Sequence, residues 1–477
     1  MFIKRNANEN NSHILNYHFE HKSSFNEWNQ AMKRRSFVLA GSASAVLTAC
    51  GGGSDSSSGS GGAGTQPALQ NKFAQANLVA SSQSYAAAYT IPSFLDAWGI
   101  AIRPAGSGGH FWVGAGASSW EFVGDVKNSA TPGLRSLTVD ALTQVTVLGG
   151  QNVAAPGMVT GIAYNGAPLA SNLFEPVFTD ATTTPPTVTR QVMPDGAGNL
   201  VTMQGSARFI FVTDAGYISA WTDRRQDTGG ILRVNGNGQR VFDGTSIGAA
   251  FFGVAVKPDT SDMLWVADFG VAPQIRQFDG NWNLVPTVGF ANPFATGAGG
   301  VAKPGDFVPF NIQTIGKRVF VTYAKSRVSS TDLTQFFAGE EDSVAADADR
   351  ASGYQPDRGR LVEYDTLGNR VRVYNDDKHL NAPWGVAIAP ASFGAFAGAV
   401  LVGNFGGAGL ISSFSSMTGE FLGFLRKGDG SFVAIAGLWG LQFGNGVSLG
   451  DADALYFAAG PEDEAGGLFG SLRYSPG

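Results

Sequence analysis

The chain has 477 residues, of which 65 are glycine and one is cysteine, with 15% charged residues and a formal charge of −6. Glycine is at about twice its usual share and charge well below its own. An apolar fraction of 43% suffices for a large core and excludes a globally disordered chain, the absence of a three-residue glycine period excludes collagen, and an acidic chain without a basic run argues against nucleic acid as a partner.

Residues 1–31 are polar, contain no apolar run and fit no export signal, so they read as an extension ahead of a natural start at Met32. Residues 32–49 read as a lipoprotein signal peptide: Lys33, Arg34 and Arg35 precede a short apolar run, Val38 to Leu47, and small residues follow. That run is too short to span a bilayer. Leu47-Thr48-Ala49-Cys50 resembles a bacterial lipobox, in which the cysteine is lipidated and becomes the mature N-terminus; the chain's single cysteine falls on it. Arg34-Arg35 followed by Ser36-Phe37-Val38-Leu39 resembles a twin-arginine export signal. Residues 50–70 are a Gly/Ser-rich tether. Localisation is therefore expected to be exported and membrane-anchored, on the periplasmic side or the cell surface, with the lipid as the sole membrane contact. Without residues 1–49, the 32 basic and 38 acidic residues fall to 26 and 35, a formal charge of −9, and no internal disulfide is possible.

Residues 71–477 carry six repeats. A glycine-bearing apolar strand opens each unit: Ala97 to Ile102, Val159 to Tyr164, Phe252 to Val256, Pro383 to Ile388 and Leu438 to Phe443, with a degenerate copy from Val308 to Ile312 in which Phe310 stands for the glycine. A second apolar strand follows, such as Phe209 to Thr213 or Met263 to Ala267, and then a third and fourth across Gly/Asn turns. Six units of four strands indicate an all-β, six-bladed β-propeller. The glycine lets crowded inner strands approach, and the neighbouring tryptophan is expected between blades. The sixth unit lacks a fourth strand, so Phe73 to Val79 is expected to complete it and close the ring, which removes exposed sheet edges.

Asn77-Leu78-Val79, Val266-Ala267-Asp268-Phe269, Leu380 to Gly385, Val402 to Gly406 and Gly437 to Gly440 resemble NHL-type and related six-bladed propellers. They are more similar still to an uncharacterised bacterial family of secreted propellers, over about residues 72–477. That resemblance implies the fold and no activity. Two departures are Gly114-Ala115-Gly116, where relatives tend to carry Asp or Asn, and a long insert at 170–207.

The candidate chemistry is sparse. Asp214, Asp268 and Asn404 follow the second strand in three units. They either converge at the channel mouth to hold Ca²⁺, with Asp268 and Asn404 as the metal candidates, or bond local backbone in turns, which is the favoured reading. Asn311 is a candidate to point into the channel. The stretch from Lys325 to Gly359, with Glu340, Glu341, Asp342, Asp347 and Asp349, reads as a solvated acidic loop, with a loop Ca²⁺ site as the alternative. His110 and His379, the two histidines beyond residue 49, are expected at the surface, and nothing in the sequence pairs them. No Gly-x-Ser-x-Gly elbow is present. These features favour a non-catalytic binding or scaffolding module for an envelope protein or small molecule. The alternative is a metal-dependent, lactonase-like hydrolase using Asp214, Asp268, Asn311 and Asn404.

Overall fold

A computed structural model describes residues 70–147, 157–328, 336–337 and 355–476. The export signal, Cys50, the tether and most of the acidic stretch between Lys325 and Gly359 lie outside these residues. The compact unit Asn71–Gly477 holds six main sheets, taken here as blades 1 to 6 in chain order; blades 1 to 5 have four principal strands in sequence from the inside outward, and blade 6 has three in that order, with short extra strands on blades 1 and 6.

The inner strands are Ala97–Ala101, Val159–Tyr164, Phe251–Val256, Phe307–Ile315, Pro383–Ile388 and Leu438–Phe443. Each packs beside the next, and the last beside the first, so the ring is closed. The second strands, Phe111–Ala115, Phe209–Thr213, Met263–Asp268, Arg318–Lys325, Val400–Asn404 and Ala454–Ala459, are almost wholly buried. Burial on both faces explains why they read as continuous apolar runs. Four-stranded blades of this kind, six in number, make a six-bladed β-propeller.

Closure is by the N-terminal strand. Phe73–Ala80 pairs antiparallel with the third strand of blade 6, Leu468–Tyr474, from Phe73 opposite Tyr474 to Ala80 opposite Leu468. Phe73, Val79 and Ala80 are buried in the apolar clusters flanking that sheet. The insert at 170–207 forms two small hairpins, Val177–Asp180 with Thr187–Arg190 and Val192–Pro194 with Leu200–Thr202.

Two expectations about the inner strands need correction. Asn311, not Phe310, stands at the glycine position of blade 4, since the aromatic residue precedes that position in blades 1, 3, 5 and 6 as well. The tryptophans, moreover, do not sit between blades. Every inner strand shifts register against its second strand at the residue before the glycine position: Trp98, Thr160, Phe252, Phe310, Trp384 and Trp439. A bulge inserts one residue and reverses the facing of the side chains beyond it. Here it turns the five aromatic side chains among them onto the propeller axis, where they contact one another.

The glycine position itself is set by close approach. A Cβ on Gly385 would lie 2.4 Å from the Trp439 carbonyl oxygen, and one on Gly440 would lie 2.4 Å from that of Trp98. Only a residue without a side chain lets the neighbouring inner strand come this near. Asn311 meets the same constraint by extending its side chain to the next blade, where Nδ2 donates to the Trp384 carbonyl at 2.9 Å.

Candidate functional site: the blocked axial channel

The axis is filled from its middle. Trp98 of blade 1 lies 5.6 Å from Phe252 of blade 3 and 6.3 Å from Trp384 of blade 5, while Phe310 of blade 4 lies 5.8 Å from Trp439 of blade 6. Residues of non-adjacent blades meet in this way only across the axis. Trp98 and Trp439 stack at 3.5 Å, and Trp384 Nε1 donates to the Phe252 carbonyl at 3.0 Å, tying blade 5 to blade 3. In blade 2 the smaller Thr160 donates its hydroxyl to the Phe251 carbonyl at 2.7 Å. The plug gains area and geometry together, since aromatic pairs in tilted or offset contact add to their simple burial.

The Asx residues support this plug. Asp268 Oδ1 accepts from Ala250 N at 2.9 Å and Gly270 N at 2.8 Å, and its Oδ2 pairs with Arg276 Nε at 2.5 Å. Asn404 Oδ1 accepts from Asn381 N at 2.8 Å, and its Nδ2 donates to the Leu410 carbonyl and the Ser412 hydroxyl. Asp214 Oδ1 accepts from Met158 N at 2.7 Å. In all three blades the end of the second strand is thus hydrogen-bonded to the segment that opens the inner strand, the turn-bracing use expected of Asp and Asn. In two of them the next residue joins the plug: Phe269 lies 5.8 Å from Phe252, and Phe405 stacks on Trp439 at 4.0 Å.

Below the plug is a cavity of ≈ 230 Å³ lined by the second halves of the inner strands. Ile162, Val254, Ile312 and Leu441 contribute aliphatic groups and Trp384 belongs to the plug, but most of the surface facing the cavity is polar. Asn311, Gln313, Thr314 and Gln442 supply polar groups, and no Asp, Glu, Lys, Arg or His lines it. Tyr164, Gln313, Thr314 and Gln442 are half-buried, which places the mouth at their end. Gln313 is held by accepting from Val386 N at 3.1 Å. Of the four candidate ligands, only Asn311 lines this cavity; Asp214, Asp268 and Asn404 sit where the inner strands begin. Among the described residues no group of three or more His, Cys, Asp or Glu is placed to hold a metal ion.

The histidines differ from expectation. His110 is buried and its Nε2 lies 2.9 Å from Asp140 Oδ2, and burial is the main reason its pKa is lowered. The His379 ring packs 4.2 Å from that of Phe421. His110 follows a Gly-rich turn and His379 a charged one, and a turn in sequence does not disclose the side chains that close over it.

Two further sets of polar residues had no sequence signal. Asp96, at the start of blade 1, is buried, as is Glu121 in the third strand of that blade. Both are raised above the ordinary carboxylate range, chiefly by burial. Asp223 meets three arginines, Arg103, Arg208 and Arg233.

No known family profile matches the chain. It is 26% identical over 400 residues to an uncharacterised protein of Acanthamoeba polyphaga mimivirus, covering 83% of this chain and 79% of that one. A second uncharacterised protein of the same virus is 30% identical over 212 residues, 44% of this chain and 49% of that one. Among solved structures, a luciferin-regenerating enzyme matches with a TM-score of 0.37 and 12% identity, over 80% of this chain and 92% of that one. The WD40 β-propeller domain of Doa1 matches at 0.33 and 10%, over 80% and 94%.

Proposed function

We propose that the chain is a binding module that takes a small, uncharged molecule into the axial cavity, and that it works in the cell envelope, on the periplasmic side or the cell surface. The observation that carries this is the axial cavity: Trp384 of the plug at one end, a lining that mixes aliphatic side chains with a larger polar surface, and amide and hydroxyl groups near the mouth. Ligand sites are concave and combine apolar groups with placed polar ones. A site without lining carboxylates or imidazoles lacks the usual general acids and bases and any anionic metal ligand, which supports holding a molecule rather than cleaving it. Kinship with NHL-type propellers is part of the same proposal, supported by the glycine-bearing inner strands and the Asx residue that ends the second strand.

Thr314 at the mouth provides the test. Binding of an uncharged, solvatochromic naphthalene probe is expected at one molecule per chain, and Thr314→Trp, which fills the mouth, is expected to abolish it. Undiminished binding by Thr314→Trp would place the probe elsewhere and remove this reading. Export and anchoring rest on the lipobox-like Leu47 to Cys50, for which one lipid chain supplies reversible attachment and further signals strengthen it. Cys50→Ser is expected to move the protein from the membrane fraction to the soluble fraction after cell lysis. Retention in the membrane fraction would count against a lipid anchor.

A further inference from the structure

We propose that Arg103, Arg208 and Arg233 form an oxyanion-binding site between blades 1 and 2, at the rim of the axial cavity, for the carboxylate or phosphate of a ligand. The proposal starts from hydrogen-bond supply and demand. Each guanidinium presents five N–H donors in a planar fork and has no acceptor. Arg103 Nη2 donates to Asp223 Oδ2 at 3.1 Å, and Arg233 Nε donates to the same oxygen at 2.9 Å. Arg208 Nη1 donates to the Ala167 carbonyl at 2.7 Å, and its Nε lies 4.0 Å from Asp223 Oδ1, an ion pair short of a hydrogen bond. One carboxylate thus faces three guanidiniums, and none is engaged through the two parallel bonds that a guanidinium and an oxyanion favour.

The Arg103 side chain is 8% exposed, and its Nε is buried without a partner. A buried, unpartnered charged donor is costly, and a second anion would both pair it and balance the excess of arginines over Asp223. Burial is the main cause lowering both His110 and Arg208; Arg103 and Arg233 add smaller lowering effects, against the raising effect of Asp140 on the one and of Tyr164 and Asp223 on the other. Asp140 is engaged by His110.

Access and position fit a ligand. The Arg233 side chain is 37% exposed and opens the cluster to solvent. Arg103 directly follows Ala101 and Ile102, which line the cavity. Its guanidinium lies 5.7 Å from the ring centre of Phe209, which in turn lies 5.6 Å from Tyr164 at the mouth. The uncharged cavity and the cationic rim together suit a molecule with an uncharged body and one anionic end. The uncharged half of that description rests on the proposed function; the anion site does not.

The test uses the folded mature chain, titrated with inorganic phosphate and separately with acetate at constant ionic strength, because exposed charges are screened by added salt. The unfolding temperature is followed. A saturable rise is expected with at least one of the two anions, and which one saturates at lower concentration assigns phosphate or carboxylate. Arg233→Gln is expected to weaken that response at least about tenfold in apparent Kd, the loss of a charge-assisted bond. Arg225→Gln, at an arginine paired with Asp227 outside the cluster, is expected to leave it unchanged. Thr314→Trp is expected to keep the anion response, which separates this site from the cavity. Absence of saturation with both anions, or an equal response in Arg233→Gln, would overturn the proposal.

Discussion

Asp96 adopts a φ of +47° at the entry to blade 1 and is 3% exposed. Burial pushes its carboxyl up to about 8; the indole N–H groups of Trp98 and Trp439 pull the other way, and Asp214, itself raised to about 6, adds to the push. Neither indole reaches full hydrogen-bond geometry, and Asp96 Oδ1 has no partner among the described residues. The folded state therefore holds a proton that the unfolded chain releases above the ordinary value of 3.8. Stability from this group is fully present below pH 3.8 and is lost as pH rises through about 8. Asp96→Asn removes the ionisation and keeps a side chain that tolerates positive φ. We expect the variant to gain, relative to the wild type, on the order of a few kcal/mol between those pH values, read as urea midpoints across a pH series. Parallel pH profiles for the two proteins would show that Asp96 does not carry a raised pKa. None of this was legible in the sequence, where Asp96 is one acidic residue before a strand; its environment is made by Trp98 and by Trp439, which is distant in the chain.

At the scale of the strand, the legible and the illegible divide along register. The six units could be read because each inner strand carries a recurring apolar pattern, and because glycine is required wherever neighbouring backbones crowd. The closing strand could be read because blade 6 was one strand short. What the pattern did not disclose was the bulge. Under strict alternation, Trp98 and Gly99 would be successive residues on opposite sheet faces, and the tryptophan would fill the space between blades. One inserted residue sends it to the axis instead. A usable signal was present: an aromatic residue directly precedes the glycine position in five of the six units, with Thr160 as the exception. Five aromatics at one structural level cannot all be ordinary interblade packing when the second strands already supply Phe111, Phe209, Trp265, Phe320 and Phe457 to the cores. The candidate site divides in the same way. Asn311 stands out in the sequence because it breaks the repeat, whereas the Arg103, Arg208 and Arg233 cluster combines three segments of blades 1 and 2 that share no motif.

At the scale of the whole molecule, the ring depends on a single strand borrowed from the opposite end of the chain. Without Phe73–Ala80, the strand Leu468–Tyr474 would be a bare edge, and its unpaired N–H and carbonyl groups would invite association with other chains. The strand also buries Phe73, Leu78 and Val79, each worth about 1.5–3 kcal/mol of transfer free energy. A mature chain starting at Ser82 is therefore expected to unfold roughly 5–10 °C below one starting at Asn71 and to form higher oligomers in size-exclusion chromatography. A synthetic peptide of residues 71–81 added to the shortened chain is expected to restore part of the lost unfolding temperature, because an extended segment can add to an open sheet edge through main-chain hydrogen bonds. Restoration by the peptide would separate loss of closure from general damage to the fold. An unfolding temperature unaffected by removal of the strand would mean that the five complete blades, with the aromatic plug at their centre, hold the ring without it.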